Sequence, residues 1–173
     1  MQPNTCTIET DRFILRSISL SDVNETYLNW LEQPESKRFI ISSKKSNSLE
    51  SLRNYVAEKI GKQDCLFLAI IDKATEAHIG NIKYEPINFE ECVAEMGILI
   101  GQKNWRGKGV FLEVFRASEK YLIEQYNIER VKLGVKVTNE AALKAYDKVG
   151  FKKIYSKIED GVEVLFMEVL CGD

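Results

Sequence analysis

The chain carries Trp105-Arg106-Gly107-Lys108-Gly109, a basic turn with two glycines that opens directly into a helical pattern. The first N–H groups of a helix have no intrahelical partner and carry a partial positive charge. Glycine lets a ligand approach the backbone without a Cβ in the way. Together these properties make an anion site suited to a phosphate or pyrophosphate, and Arg106 and Lys108 would add charge to it. Further along, Asn139-Glu140-Ala141-Ala142-Leu143-Lys144-Ala145-Tyr146 reads as a short helix bearing a tyrosine, a side chain able to transfer a proton. The combination suggests a pocket for a phosphorylated cofactor with an acid nearby.

Several phosphate-binding patterns can be tested against this turn. A Walker A loop needs four residues between its first glycine and Gly-Lys, then Ser or Thr for magnesium. Here five residues separate Gly101 from Gly107, and Gly109 stands at the hydroxyl position. A dinucleotide fingerprint needs a third spaced glycine, which is absent. A cradle for the pyrophosphate of coenzyme A remains, alongside a solvated basic turn with helper glycines. Tyr146 likewise reads either as an acid or as an aromatic packed beside Leu143 and Val149.

The elements that must position these residues follow from periodicity. At 173 residues, with 45% hydrophobic and 29% charged residues, the chain is expected to be one domain with an ordinary core. Strands are expected at 12–19, 66–71, 79–86, 92–101, 131–137, 151–157 and 162–169, the last two joined by an Asp160-Gly161 turn. Helices are expected from Ser21-Asp22 to Pro34, from an Asn47 or Ser48 cap to Ile60, over 110–124, and over a short stretch stopped by Gly150. The order describes a mixed α/β (α+β) domain around a central sheet.

The net charge of -2 argues against a broad nucleic-acid surface. No apolar run is long enough to span a bilayer, and the polar start does not resemble a signal peptide. Cys6, Cys65, Cys92 and Cys171 form no C-x-x-C pair and His78 is the sole histidine, so neither a metal site nor a Cys–His catalytic pair is expected. Reduced cysteines in a cytoplasmic protein are the expectation.

The basic turn resembles the central Gln/Arg-x-x-Gly-x-Gly/Ala motif of the GNAT acetyltransferase superfamily, with Arg106 at the first position and Gly109 at the fourth. Upstream, Ala94-Glu95-Met96-Gly97 resembles the A-E-x-G strand of its RimJ/RimL-type branch. Downstream, Asn139, Ala142, Tyr146, Gly150 and Phe151 match N-x-x-A-x-x-x-Y-x-x-x-G-F, and Thr10-Asp11-Arg12-Phe13-Ile14-Leu15-Arg16 is similar to the first strand. The likeness covers nearly the whole chain and implies a single GNAT domain over 8–171. It implies a twisted, mostly antiparallel sheet of about seven strands flanked by about four helices. One position departs from the motif: Phe111 stands where the family has Gly or Ala, and it either packs into the core with Phe115 and Leu122 or re-angles the cofactor.

The resemblance implies acetyl transfer from acetyl-coenzyme A to a primary amine by direct attack within a ternary complex. Arg106, Gly107, Lys108, Gly109, Val110 and Phe111 would form the pyrophosphate cradle, and Asn139 would both cap its helix and touch the coenzyme. Ile98 and Ile100 would bond the pantetheine arm. A backbone N–H within Gly97-Ile98-Leu99, at a bulge where the strand splays, would meet the thioester oxygen. Tyr146 would be the acid for the departing sulfur. Glu95, expected in a largely buried strand on the side opposite Ala94 and Met96, would be either the base or a structural carboxylate paired across the sheet.

Trp30, Arg38 and Tyr84 are candidate acceptor-lining residues. The implied acceptor is a small-molecule amine such as an amino sugar or nucleotide-linked amino sugar. A protein N-terminus, or a catalytically inactive coenzyme-binding module, is the alternative. Open sheet edges leave a homodimer as a possibility for this fold.

Overall fold

A computed structural model of the chain describes residues 5–34, 36 and 48–173. Eight strands form one sheet, in spatial order β1-β2-β3-β4-β5-β6-β8-β7. They are β1 (Thr7–Glu9), β2 (Phe13–Ser17), β3 (Leu66–Asp72), β4 (His78–Asn88), β5 (Val93–Ile100), β6 (Arg130–Lys136), β7 (Lys152–Glu159) and β8 (Val162–Leu170). Among the described residues there are four α-helices: α1 (Glu25–Glu32), α2 (Leu49–Lys59), α3 (Val110–Tyr126) and α4 (Glu140–Val149). Every pairing is antiparallel except β5 with β6. The additional strand relative to expectation is β1, whose three residues are too few to show a period.

Local chemistry places the helix ends. The Asn24 side chain accepts from the Tyr27 N–H at 3.0 Å to start α1, and Ser48 accepts from the Ser51 N–H at 3.0 Å to start α2. Asn139 accepts from the Ala142 N–H at 3.2 Å to start α4, which stops at Gly150 in the left-handed region with φ +104°.

Alternation along the strands divides the apolar residues between two faces. On one face Phe13, Leu15, Ile82, Tyr84, Ala94 and Val131 pack with Val114, Phe115 and Leu122 of α3. On the other, Ile18 and Phe67 pack with Tyr27 and Trp30 of α1 and Leu52 and Val56 of α2. β3 contributes to both clusters, which is why its run Leu66–Ile70 is buried without a break.

The feature that positions the site is a parting of strands. β5 pairs with β6 only at Val93↔Arg130, Ala94↔Val131 and Glu95↔Lys132. Beyond that, β5 stays with β4 to Ile100, while β6 follows β8 to Lys136. The register irregularity at this level lies in β4, between Tyr84 and Ile87, rather than in β5. Two residues, Glu85 and Pro86, stand opposite the single Glu95, so β4 carries one extra residue there, and a bulge is a position where proline's missing N–H is tolerated.

Candidate active site

The turn before α3 is built as an anion cradle. Gly107 and Gly109 have φ +70° and +72°, a region costly for residues with a Cβ. Gly109 is the N-cap of α3 and no side chain caps the helix. The first N–H to bond back into the helix is that of Glu113, to the Gly109 carbonyl at 3.4 Å. The amides of Val110, Phe111 and Leu112 are therefore left without an intrahelical partner, at the positive end of a 17-residue helix. The Phe111 ring points away from this surface. It is buried against Phe115 (centroids 5.5 Å apart) and Tyr146 (5.0 Å), so its bulk fills the core while its amide remains at the helix start.

The cradle is held from behind by residues that sequence reasoning missed. The Arg12 guanidinium donates from Nη1 to the Lys108 carbonyl at 3.0 Å and from Nε to Glu113 Oε2 at 2.6 Å. Glu113 Oε1 also accepts from the Arg12 N–H at 2.8 Å and the Thr10 hydroxyl at 2.6 Å. Burial alone would raise the Glu113 carboxyl, but the hydrogen bonds from Thr10 and Arg12 outweigh it and hold the group below the usual carboxylate range. Turning the Lys108 carbonyl toward Arg12 fixes the peptide between the two left-handed glycines. The signal in the sequence was an acid in the first turn of α3, whose partner Arg12 lies about a hundred positions away, just before β2.

Arg106 departs from its expected role as a free phosphate ligand. It donates from Nε to the Ile100 carbonyl at 3.0 Å and from Nη2 to Gln33 Oε1 at 2.8 Å. It thus ties the end of β5 to the C-terminus of α1, with part of its donor fork left over. Lys108 is exposed, with Nζ 5.6 Å from the Trp105 ring centroid.

Where β5 leaves β6, its backbone direction can be read from two bonds. The Gly101 N–H bonds to the Ile79 carbonyl on the β4 side at 2.9 Å, whereas the Ile100 carbonyl faces the opposite way, to Arg106. Alternation then turns the N–H groups of Ile98 and Ile100 toward the gap, and those of Gly97 and Leu99 toward β4. Within Gly97-Ile98-Leu99 the outward donor is therefore that of Ile98. Leu99 contributes a side chain half-buried against the α1/α2 cluster instead of a free amide.

Tyr146 sits on α4 with its ring against Phe111 and Phe151, beside the same cluster that Ile98 and Ile100 join. Its hydroxyl has no hydrogen-bond partner among the described residues. Burial pushes its pKa up to about 12, so it is a neutral phenol with a proton to give. Asn139 spends its carbonyl on capping α4, which leaves its NH₂ available.

Glu95 corrects an expectation. It does lie on the face opposite Ala94 and Met96, but it is exposed rather than buried. The α3 and α4 core covers only the Ala94 and Met96 side. Nor is it a paired structural carboxylate: among the described residues it makes no ion pair, and Lys132 across the sheet lies 3.7 Å from Glu168 instead.

The expected acceptor wall is also revised. Tyr84 is 0% exposed, its hydroxyl 2.7 Å from Ser118 Oγ in the α3 core, so it lines no acceptor surface. Adjacent residues of a strand point to opposite faces, and it is Glu85 that faces α2. Trp30 is 3% exposed and packs in the second core, with only an edge on a groove of about 440 Å³ between α1 and the turn after β5. A Cβ on Gly101 would fall 1.9 Å from Trp30 Cδ2, so that glycine exists for close packing. Arg38 lies outside the described residues. His78 is a core histidine, 4.9 Å from the Trp30 ring and bonded to Asn81 Oδ1 at 2.7 Å; burial lowers its pKa. No group of metal-ligating side chains occurs among the described residues, and no helix of theirs is long and apolar enough to cross a membrane.

Comparison with known proteins agrees with this geometry. The sequence is 27% identical over 152 residues to an N-alpha-acetyltransferase of Saccharolobus solfataricus, covering 82% of this chain and 81% of that one. The fold matches the ribosomal alpha-N-protein acetyltransferase RimL in complex with coenzyme A, with a TM-score of 0.84 at 15% identity, covering 96% and 98% of the two chains. It also matches a chimera of the spermidine N-acetyltransferase SpeG from Vibrio cholerae and hSSAT, with a TM-score of 0.80 at 20% identity, covering 92% and 96%. The acetyltransferase (GNAT) domain matches residues 12–152, and the chain belongs to that family of acyltransferases.

Proposed function

We propose that this protein, a member of the RimJ/RimL-type branch acting as one catalytic unit over residues 8–171, transfers an acetyl group from acetyl-coenzyme A to the primary amine of a small molecule such as an amino sugar. The observation that carries this reading is the open N-terminus of α3 beside the parted edge of β5. The three unpaired amides and two left-handed glycines fit a pyrophosphate, and the β5 gap provides the backbone donors that an extended amide-bearing arm requires. Bound acetyl-coenzyme A supplies an activated thioester carbonyl.

Around it, the amides of Val110, Phe111 and Leu112 hold the diphosphate, Lys108 adds charge, and Asn139 adds its free NH₂. Ile98 and Ile100 align the arm, and the Ile98 N–H is aimed where negative charge grows on the carbonyl oxygen. Glu95, on the opposite face, takes a proton from the ammonium form of the acceptor, directly or through water. Tyr146 gives its proton to the sulfur as it departs, and no covalent bond to the enzyme is required. Acid and base thus stand on opposite faces of the sheet at the same gap, which suits an acceptor that arrives from the side away from the coenzyme.

The name of the archaeal relative favours a second reading, acetylation of a protein N-terminus. Thiol release from acetyl-coenzyme A, measured against amino sugars, polyamines and short peptides, separates the readings. Turnover with amino sugars supports the proposal, turnover confined to peptides replaces the acceptor class, and coenzyme binding without turnover on any amine marks an inactive module.

A further inference from the structure

On the acceptor face, three lysines converge on one carboxylate. Lys59 Nζ lies 2.9 Å from Glu85 Oε1, Lys62 Nζ 3.5 Å from the same oxygen, and Lys83 Nζ 3.1 Å from Oε2. The side chains of Lys59, Lys83 and Glu85 are only 16%, 24% and 13% exposed, and Lys62, 46% exposed, closes the cluster on its solvent side. Lys83 also donates to the Tyr55 hydroxyl at 2.5 Å, and Lys59 and Lys83 lie 5.3 and 5.1 Å from the Tyr55 ring centroid. Among the described residues, one carboxylate, kept ionised by Lys59 and Lys83 against the effect of its burial, is set against three lysines, which gives the cluster a net positive charge in a partly buried setting. Such charge calls for a counter-ion. Each ammonium has three donors, so every lysine keeps at least one N–H for a ligand.

The location gives the cluster meaning. Lys83 is the cross-strand partner of Gly97, the exposed β5 residue at the start of the gap, where a Cβ would meet nothing within 4 Å. Alternation places Lys83, Glu85, Glu95 and Gly97 on one face. The lysines therefore flank an open floor beside the carboxylate that would deprotonate the amine.

We propose that Lys59, Lys62 and Lys83 form an anion subsite that holds a phosphate of the acceptor, so that the substrate class is a phosphorylated primary amine, an amino-sugar phosphate or a nucleotide-linked amino sugar. This rests on the acetyltransferase reading and narrows it. A polyamine would meet like charge here, and an amino sugar or peptide with no anionic group would leave the charge in excess of Glu85 unanswered.

The test pairs acceptors that differ only in phosphate, glucosamine against glucosamine 1-phosphate, at saturating acetyl-coenzyme A. A nucleoside-diphosphate amino sugar and spermidine complete the set. The expected result is kcat/KM at least about tenfold higher for the phosphorylated partner. Lys62→Gln and Lys59→Gln should shrink that ratio without changing KM for acetyl-coenzyme A, and each leaves two lysines on Glu85 to keep the fold. Glucosamine 1-phosphate and the nucleotide sugar distinguish a sugar phosphate from a diphosphate bridge as the group held.

Equal kcat/KM within the pair, preference for spermidine, or an unchanged ratio in both variants would overturn the subsite while leaving acetyl transfer intact. If no amine is turned over, the acetyltransferase reading fails separately. Calorimetry of glucosamine 1-phosphate on coenzyme-A-saturated protein then decides the subsite: binding lost in Lys62→Gln upholds it, and absence of binding ends it.

Discussion

Glu113→Gln isolates the brace behind the cradle. The substitution keeps the size of the side chain and removes its charge. The carboxylate accepts from the Thr10 hydroxyl, the Arg12 N–H and Arg12 Nε, at 2.6, 2.8 and 2.6 Å. Turning charge-assisted hydrogen bonds into neutral ones costs about 1 kcal/mol each, and a terminal NH₂ now faces a donor on at least one side. The Arg12 side chain is 38% exposed and that of Glu113 20%, so solvent absorbs part of the loss, leaving about 1–2 kcal/mol. For a chain of this size that lowers Tm by roughly 3–6 °C.

A second effect follows at the cradle. A released Arg12 no longer fixes the Lys108 carbonyl, so coenzyme A affinity should fall about three- to tenfold by calorimetry. There is also a pH signature. The Glu113 pKa is depressed in the folded state, so its contribution is present above the unfolded carboxylate value and is lost as pH falls through the folded one. Thermal melts of Glu113→Gln should therefore show a smaller acid-side loss of Tm than the parent. Unchanged Tm and affinity would refute the brace, and a lower Tm with unchanged affinity would show that it supports the fold but not the cradle.

Tyr146→Phe keeps the ring packing on Phe111 and removes a hydroxyl that no described residue bonds, so Tm should hold while kcat falls about a hundredfold with little change in KM for acetyl-coenzyme A. Unchanged kcat removes Tyr146 from the chemistry. Glu95→Gln should reduce kcat/KM for the acceptor most at low pH, where more of the amine is an ammonium ion, and leave coenzyme binding and Tm as they were. A parallel fall in Tm would mark Glu95 as structural. Gly101→Ala drives a Cβ into the Trp30 ring, costing about 1–3 kcal/mol, read as a lowered Tm. A stable variant would show that α1 can move off the β5 turn.

Much of this arrangement is legible in the residues. The alternation of Val131, Leu133 and Val135 gives β6 its inner face, the run Leu66–Ile70 gives a doubly covered strand, and Gly109 and Gly150 mark helix ends with positive φ. What is not legible depends on distance or on which face is covered. Arg12 and Glu113 meet only once β2 and α3 are packed together. Whether Tyr84 or its neighbour Glu85 faces the acceptor side is not written in the strand's alternation; only the placement of α3 sends Tyr84 to Ser118. The solvent around Glu95 depends on where the helices stop: α3 and α4 cover the Ala94 and Met96 side of β5, and on the other side the α1/α2 cluster reaches β5 at Leu99. Arg106 looks like a free cation until the end of β5 and Gln33 present it with two acceptors.

The central claim is that a diphosphate rests on the bare amides at the start of α3. A crystal structure of the protein soaked with coenzyme A tests it most directly. The account predicts density for the diphosphate within hydrogen-bond distance of the Val110, Phe111 and Leu112 amides, and for the pantetheine arm along Ile98 and Ile100 in the β5 gap. Density for the coenzyme on any other surface, with the helix start left to solvent, would contradict it.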